Sequence, residues 1–373
     1  MKLSARIVKT ERYPVCLGEE AFVHLEKELA RYRKSKSPVF ILTDSNTLRF
    51  CLPVLTDRCP ELRQAQVLTV EAGEDRKTLS SAEFLWNELA RLQVNRQALL
   101  ISLGGGMVTD LGGFVASGFH RGIDCIHVPT TLIGQIDAAI GGKTGVNLDS
   151  LKNQVGTYYS PRGVYCWPGF FATLGKDQLR SGLAEVTKTA LIRDERFWRW
   201  LSRKPVEEIL SIPFTENGWK EILLQTVRIK LEIVRQDPFE RNRRKLLNFG
   251  HTVGHAMESL ALRRGTPVLH GEAVAAGILC ECFLSEQLAG LDPGQSTTIV
   301  NWLLKGFGKI GISSGDVPEL LALMGHDKKN RNQELRFTLL SRPGQGKINQ
   351  SCDPARIVGA LTRYLELPSD IRP

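Results

Sequence analysis

No apolar run in this chain approaches the length of a membrane span, so no transmembrane helix is expected. The N-terminus, MKLSARIVKTERYPV, lacks an apolar core, so no secretory signal is expected either. The eight cysteines, Cys16, Cys51, Cys59, Cys125, Cys166, Cys280, Cys282 and Cys352, form no C-x-x-C pair. They read as reduced thiols of a cytoplasmic protein. Internal repeats and low-complexity tracts are absent.

What is present is ordinary soluble-protein material: 373 residues, 42% hydrophobic and 24% charged. That length suggests two domains with ample core. The formal net charge is +9. Nucleic acid is one partner such a charge allows. The basic residues are spread along the chain, however, and the densest cluster, RNRRK at Arg241–Lys245, abuts a histidine-bearing segment. An anionic small molecule fits that placement better than nucleic acid.

The first half alternates strand-like and helix-like segments. PVFILTDSN, ALLISLGGG and CIHVPTT read as buried strands, and AEFLWNELARLQV has helical spacing. That alternation implies a parallel α/β sheet. From about Lys176 the pattern becomes helical: DQLRSGLAEVTKTALI, GWKEILLQTVRIKLEIVRQD, GEAVAAGILCECFLSEQLAG and STTIVNWLLKGFGKIG. The expected organisation is a Rossmann-like α/β nucleotide-binding domain over 1–175 and an all-α domain over 176–373.

Gly104, Gly105 and Gly106 lie between a strand and a helix, where backbone amides approach a phosphate. Thr109 replaces the third glycine of G-x-G-x-x-G, so a tight turn without ligand is the competing reading. Asp44 ends an earlier strand, as a ribose-binding carboxylate often does. The segment HVPTTLIGQIDAAIGGKTGVNLDSLKNQVG gathers Thr130, Thr131, Asp137, Lys143, Asn147, Lys152 and Asn153 among glycines. Its Gly-Gly-Lys-Thr shares the end of a P-loop, but Asp137 stands where the first glycine belongs, so ATP hydrolysis is not indicated.

KLLNFGHTVGHAMESL carries His251 and His255 four residues apart, on one face of a helix with an apolar stripe of Leu247, Val253, Met257 and Leu260. Two imidazoles so placed suit a metal, and the same spacing also arises by chance. Thr252 occupies the glutamate position of H-E-x-x-H, which disfavours protease chemistry. A further ligand must come from elsewhere. On a continuous helix Arg244, Asn248 and His251 would share roughly one face.

Taken together, GGGMVTDLGGF, RGIDCIHVPTTLIGQIDAAIGGKTGVN, LRSGLAEVTKTALI, LLNFGHTVGHAMES and LHGEAVAAG resemble the 3-dehydroquinate synthase family of sugar phosphate cyclases, in order from about Asp44 to Lys329. The resemblance implies a divalent metal, zinc or cobalt, on Glu185, His251 and His270, with His255 left for substrate or proton transfer. Spacing alone still permits both His251 and His255 as ligands. It implies NAD on Asp44, Gly105, Gly106, Asp110, Thr130, Thr131, Lys152, Phe170, Thr173 and Gln178, the last where an acidic residue is usual. It implies substrate contacts at Asp137, Lys143, Asn153, Lys188, Lys230, Arg244, Asn248 and His255. Arg121 would reach a neighbouring subunit's site in a homodimer, and Lys328 or Lys329 would complete the phosphate site. Val253 and Thr187 are further small departures from the family's usual wording.

The expected activity is conversion of 3-deoxy-D-arabino-heptulosonate 7-phosphate to 3-dehydroquinate and phosphate. Three rivals remain at this point. They are another sugar phosphate cyclase, a metal-dependent NAD polyol dehydrogenase, and a non-catalytic NAD-binding regulator. The basic residues favour a cyclase over a dehydrogenase, and Arg244 favours a carboxylate-bearing substrate. No expected metal or base position lacks its residue, which disfavours the regulator.

Overall fold

The computed structural model describes residues 7–9, 12–148, 151–326 and 335–368. The chain forms two compact units, Met1–Leu174 with Pro213–Leu231, and Gly175–Ile212 with Glu232–Pro373. It therefore passes between units near residue 175, where the sequence pattern changes, and again on either side of 213–231. Leu224, Val227 and Leu231 of that returning segment pack with Val15, Ile140 and Val164 of the first unit.

The first unit is built on strands β1 (Ile7–Lys9), β2 (Pro14–Leu17), β3 (Val39–Asp44), β4 (Gln66–Val70), β5 (Leu99–Gly104) and β6 (Asp124–Pro129). A separate antiparallel hairpin, β7 (Lys143–Leu148) and β8 (Leu151–Tyr158), precedes the seventh sheet strand, β9 (Gly163–Cys166). The sheet order is β1-β2-β9-β6-β5-β3-β4. Every pairing is parallel except β1 with β2. Both faces are covered, which explains the unbroken apolar run of β5. Successive residues point to opposite faces. Ile41, Leu99 and Ile101 enter one apolar cluster, while Phe40, Leu42 and Leu100 enter another.

In such sheets ligands bind beyond the carboxyl ends of the strands. Asp44 ends β3, Gly104 ends β5 and Pro129 ends β6. The glycine turn, Thr130 and Thr131 thus follow directly from strand ends on one edge.

The second unit is helical, with helices Lys176–Arg193, His251–Arg263, His270–Leu288 and Pro293–Phe307. The His270–Leu288 helix packs against the other three and is buried over almost its whole length. A helix apolar all round is suited to that central place. The expectation of an all-α domain needs one correction: β10 (Leu335–Arg342) and β11 (Gln345–Cys352) form an antiparallel hairpin. Its second strand, QGKINQSC, is mostly polar and half exposed, so it carried little apolar periodicity to read.

The histidine segment needs a second correction. It is not one continuous helix. Residues Arg243–Asn248 form a 3-10 turn, and the α-helix begins at His251 after Gly250. Gly250 has φ 79°, a left-handed conformation that favours glycine. A side chain there would also meet Ile278 Cγ1 at 2.5 Å and the Val274 carbonyl at 2.9 Å. Arg244 and Asn248 therefore do not share a helical face with His251.

Candidate functional site

Glu185 and Lys188 lie one turn apart on the Lys176–Arg193 helix, and each side chain is 1% exposed. Lys188 Nζ sits 2.5 Å from Glu185 Oε2. The other oxygen, Oε1, lies 3.4 Å from His251 Nε2 and 3.3 Å from His270 Nε2. Those distances are long for directional hydrogen bonds, and among the described residues neither oxygen of this fully buried carboxylate has a hydrogen-bond partner. A buried acceptor in that state needs a reason. One carboxylate oxygen and two imidazole nitrogens lie together here, the donor types that a His2Glu metal site uses.

The histidines are oriented for it. His251 Nδ1 lies 3.1 Å from the Phe249 carbonyl, which can only accept, so Nδ1 carries the proton and Nε2 faces Glu185. His270 opens its own helix, and its Nδ1 is 3.6 Å from Glu258 Oε2. His255, one turn beyond His251, is exposed, with ring centroids 5.1 Å from His251 and 5.8 Å from His270. The ligand atoms of the three histidines lie within 4.8 Å of one another, so a three-histidine set is also geometrically open. The contacts of Glu185 to His251 and His270 are closer.

Electrostatics separate the roles. Burial opposes ionisation of Glu185, but Lys188 and His251 outweigh it and hold the carboxyl well below its ordinary range. Burial lowers His251, reinforced by Lys188. Burial also works against charge on His270, yet Glu185 and Glu258 push it up to about 10. Positive charge is thus favoured beside Glu185, as a cation site requires.

Arg244 is among the largest fully buried side chains, while Arg241 and Arg243 are exposed. It is therefore not one of a solvated basic run. Asp237 receives the amides of Arg241, Asn242 and Arg244 at 2.9, 2.7 and 3.0 Å, and Arg244 Nη1 donates to the Pro238 carbonyl at 2.7 Å. Asn248 donates to Glu240 at 2.9 Å.

In the first unit, Gly105 precedes the helix Gly106–Gly118 with no side-chain cap, so the first amides remain open to an anion. A side chain on Gly105 would stand 3.0 Å from Thr131 Cγ2. The glycine turn is thus a cradle that a larger residue would fill. Asp44 has Oδ1 committed to capping the next short helix through Thr47 N at 2.7 Å. Thr173 donates to the Phe170 carbonyl at 2.8 Å, in the turn after β9.

Asp110 lies on the glycine helix, and burial pushes its carboxyl up to about 6 against the pull of Lys77. Lys77 Nζ is 3.2 Å from Asp110 and 2.8 Å from Glu74. Sequence reasoning missed Lys77 and Glu74. The available signal was the charged stretch AGEDRKTL directly after β4, another strand carboxyl end. That stretch also receives Asn147, whose Oδ1 accepts Asn153 N at 2.9 Å.

Asp137 sits in a π-helical turn, Gly134–Ala138, and its carboxylate pairs with the buried Lys230. Lys143, Lys152 and Asn153 are exposed on the β7–β8 hairpin. Gln178 belongs to the second unit, in the first turn of the Lys176–Arg193 helix. Arg121 is exposed beyond the far end of the Gly106–Gly118 helix, about 20 Å from the glycine turn by helical rise. Lys328 and Lys329 fall outside the described residues.

Two family models match the chain: 3-dehydroquinate synthase N-terminal over residues 67–181 and 3-dehydroquinate synthase C-terminal over residues 182–330. A 3-dehydroquinate synthase of Parabacteroides distasonis is 39% identical over 328 residues, covering 88% of this chain and 91% of that protein. Among solved structures, 2-epi-5-epi-valiolone synthase from Streptomyces hygroscopicus, with NAD+ and Zn2+ bound, superposes with TM-score 0.82. It is 25% identical and covers 99% of this chain and 100% of its own. A 2-deoxy-scyllo-inosose synthase complexed with carbaglucose-6-phosphate, NAD+ and Co2+ gives TM-score 0.81 at 24% identity, over 96% of this chain and 98% of its own. That last likeness speaks to the fold.

Proposed function

Because this chain belongs to the 3-dehydroquinate synthase family, we propose that it converts 3-deoxy-D-arabino-heptulosonate 7-phosphate to 3-dehydroquinate and inorganic phosphate. The observation that carries the chemistry is Glu185 Oε1, buried without a hydrogen-bond partner among the described residues, at 3.4 and 3.3 Å from His251 Nε2 and His270 Nε2. These three residues fit a divalent metal, zinc or cobalt, because Glu185 Oε1 lies closer to His251 Nε2 and His270 Nε2 than the span of the three histidines and is a hard, anionic donor. The open amides behind Gly105, with Asp44, Asp110, Thr130 and Thr131, fit the pyrophosphate and ribose of NAD. When bound, the metal supplies Lewis-acid polarisation of substrate hydroxyls, and NAD supplies a hydride acceptor that returns what it takes.

The side chains of the second unit divide the remaining work. The fixed, buried Arg244 guanidinium suits the substrate carboxylate, whose planar geometry it matches. Lys188 neutralises Glu185 Oε2, and so leaves Oε1 as the ligand oxygen. His255 is exposed beside Glu185, His251 and His270, where an imidazole can pass protons to and from ring hydroxyls. Asn248 is assigned to the phosphate, together with Lys328 or Lys329.

In the first unit, Lys152 is assigned to NAD, with Phe170 and Thr173 lining the turn after β9, and Lys143 and Asn153 lie on the same hairpin as Lys152. Lys230 pairs with Asp137 and compensates its charge. Arg121, exposed beyond the far end of the glycine helix, is assigned to a neighbouring subunit's site in a homodimer. The eight free, buried cysteines accord with a cytoplasmic protein.

The test is to incubate the protein with the heptulosonate phosphate, NAD and zinc, and to follow phosphate and cyclic product together. Phosphate and product should appear in equal amounts with no NADH accumulating. Stoichiometric NADH would instead place the protein with the dehydrogenases.

A further inference from the structure

The helix that carries His251 and His255 starts at Gly250, a residue with no side chain to cap it. The first amides of a helix need acceptors from somewhere. Here they come from another helix. Glu281 Oε2 accepts the Gly250 amide at 2.6 Å, and Oε1 faces the Val253 amide at 3.5 Å. Glu281 is 0% exposed, and among the described residues it has no ion-pair partner. Burial pushes its carboxyl up to about 8, while the amides of Gly250, Val253 and Thr252 pull the other way.

The packing explains how a side chain from a different helix reaches this point. Gly277 lies one turn before Glu281, and a Cβ on it would stand 1.9 Å from the Gly250 carbonyl. The two backbones touch there, so the next turn delivers Glu281 to the start of the histidine helix. That same donor helix begins with His270. Glu281 therefore ties the helix that presents one imidazole to the first turn of the helix that presents the other. Gly250 cannot supply the cap itself, since a Cβ there would meet Ile278 Cγ1 at 2.5 Å, so the acceptor is a carboxyl group from the neighbouring helix. Burying one here is costly unless the tie serves a purpose beyond stability.

We propose that Glu281 is a positioning residue for the metal site, holding His251 Nε2 and His270 Nε2 in register with Glu185 Oε1. The inference rests on Glu185, His251 and His270 being the metal ligands.

Zinc ion is the probe, titrated into metal-stripped full-length protein against a chromophoric chelator. Glu281→Gln keeps the size but replaces one acceptor oxygen by a donor. It should weaken zinc binding by roughly 10–100-fold, the usual cost of losing a group that orients metal ligands. Its kcat should fall while KM for the sugar phosphate changes little. Cys282→Ala, a loss of buried volume at the next position, should lower the thermal midpoint and leave zinc affinity alone. If the Gln variant does not fold, Glu281→Asp decides, since it keeps the carboxyl but shortens the reach. It should lose zinc affinity by roughly tenfold. Wild-type zinc affinity in the folded Glu281 variant overturns the proposal, and so does an equal loss in Cys282→Ala. Wild-type protein that binds no zinc overturns the metal reading along with it, which separates the two failures.

Discussion

The helices that start after Gly105 and Gly250 use their first amides in opposite ways. In the first unit, Gly105 leaves the start of Gly106–Gly118 without a side-chain cap, at the carboxyl end of β5. In the second unit, the amides after Gly250 are taken by Glu281 from inside the protein. An open helix start combines unsatisfied donors with the positive end of the dipole, so it attracts an anion. A closed one attracts nothing and becomes a rigid platform for side chains. The first unit thus presents backbone to a ligand, while the second presents His251, His255 and Glu185.

If that contrast is right, damage to side chains should matter most in the second unit. His251→Ala should reduce bound zinc from about one equivalent to near zero and abolish turnover, with the circular dichroism spectrum unchanged. Elemental analysis of the purified variant checks this. Full zinc occupancy without His251 would break the assignment.

Arg244 is next in size. Losing a fixed contact to an anion typically costs about 2–5 kcal/mol, so Arg244→Lys should lower kcat/KM on the order of a hundredfold. Arg243→Lys, on an exposed neighbour, should do little. The basis is the burial of Arg244 and not the shared helical face that the sequence suggested. Equal, small effects in steady-state kinetics would mean that the carboxylate is held elsewhere.

Backbone presentation in the first unit predicts a milder, separable effect. Gly105 has φ −71°, which any residue adopts, so Gly105→Val should fold and act only by crowding the turn against Thr131. NAD affinity should drop by about tenfold, or ~1.4 kcal/mol, while zinc affinity stays the same. Titration calorimetry with each ligand checks both halves. A parallel loss of zinc would show that the two platforms are not independent.

The smallest effect at neutral pH concerns His127, buried in β6 with no hydrogen-bond partner at Nδ1 among the described residues. Burial lowers it from 6.5 to about 4. A depressed folded value means that the unfolded chain takes up its proton first as pH falls. Its contribution to stability is present above pH 6.5 and is lost between there and about 4. The size is on the order of 3 kcal/mol. His127→Leu should flatten that part of the acid limb in thermal melts taken from pH 7 to 4. An unchanged acid limb would assign the loss to other groups.

Much of the first unit was readable in the chain. The runs VFILTD, LLISLG and DCIHVP fall on strands β3, β5 and β6, because strands buried on both faces demand continuous apolar residues. The glycine turn was readable for the same local reason. The metal set was harder. Glu185, His251 and His270 lie on three helices, and only the match of several motifs in order linked them before the structure brought them together. Lys77 and Glu74 went unread because a charged loop looks alike whether it is solvated or folded onto Asp110.

The sequence by itself determined that VFILTD, LLISLG and DCIHVP are strands, where the glycine turn falls, and which polar residues are available for chemistry. These follow from side-chain periodicity and backbone preference over a few residues. Only the tertiary structure decided that Arg243–Asn248 is a 3-10 turn, that Pro213–Leu231 joins the first unit, and that Arg244 is buried while its neighbours are not. It alone showed that the amide of Gly250 is answered by a carboxyl group thirty-one residues away. The cost of burying a charge or an amide depends on what packs against it, and those partners are set by the whole chain.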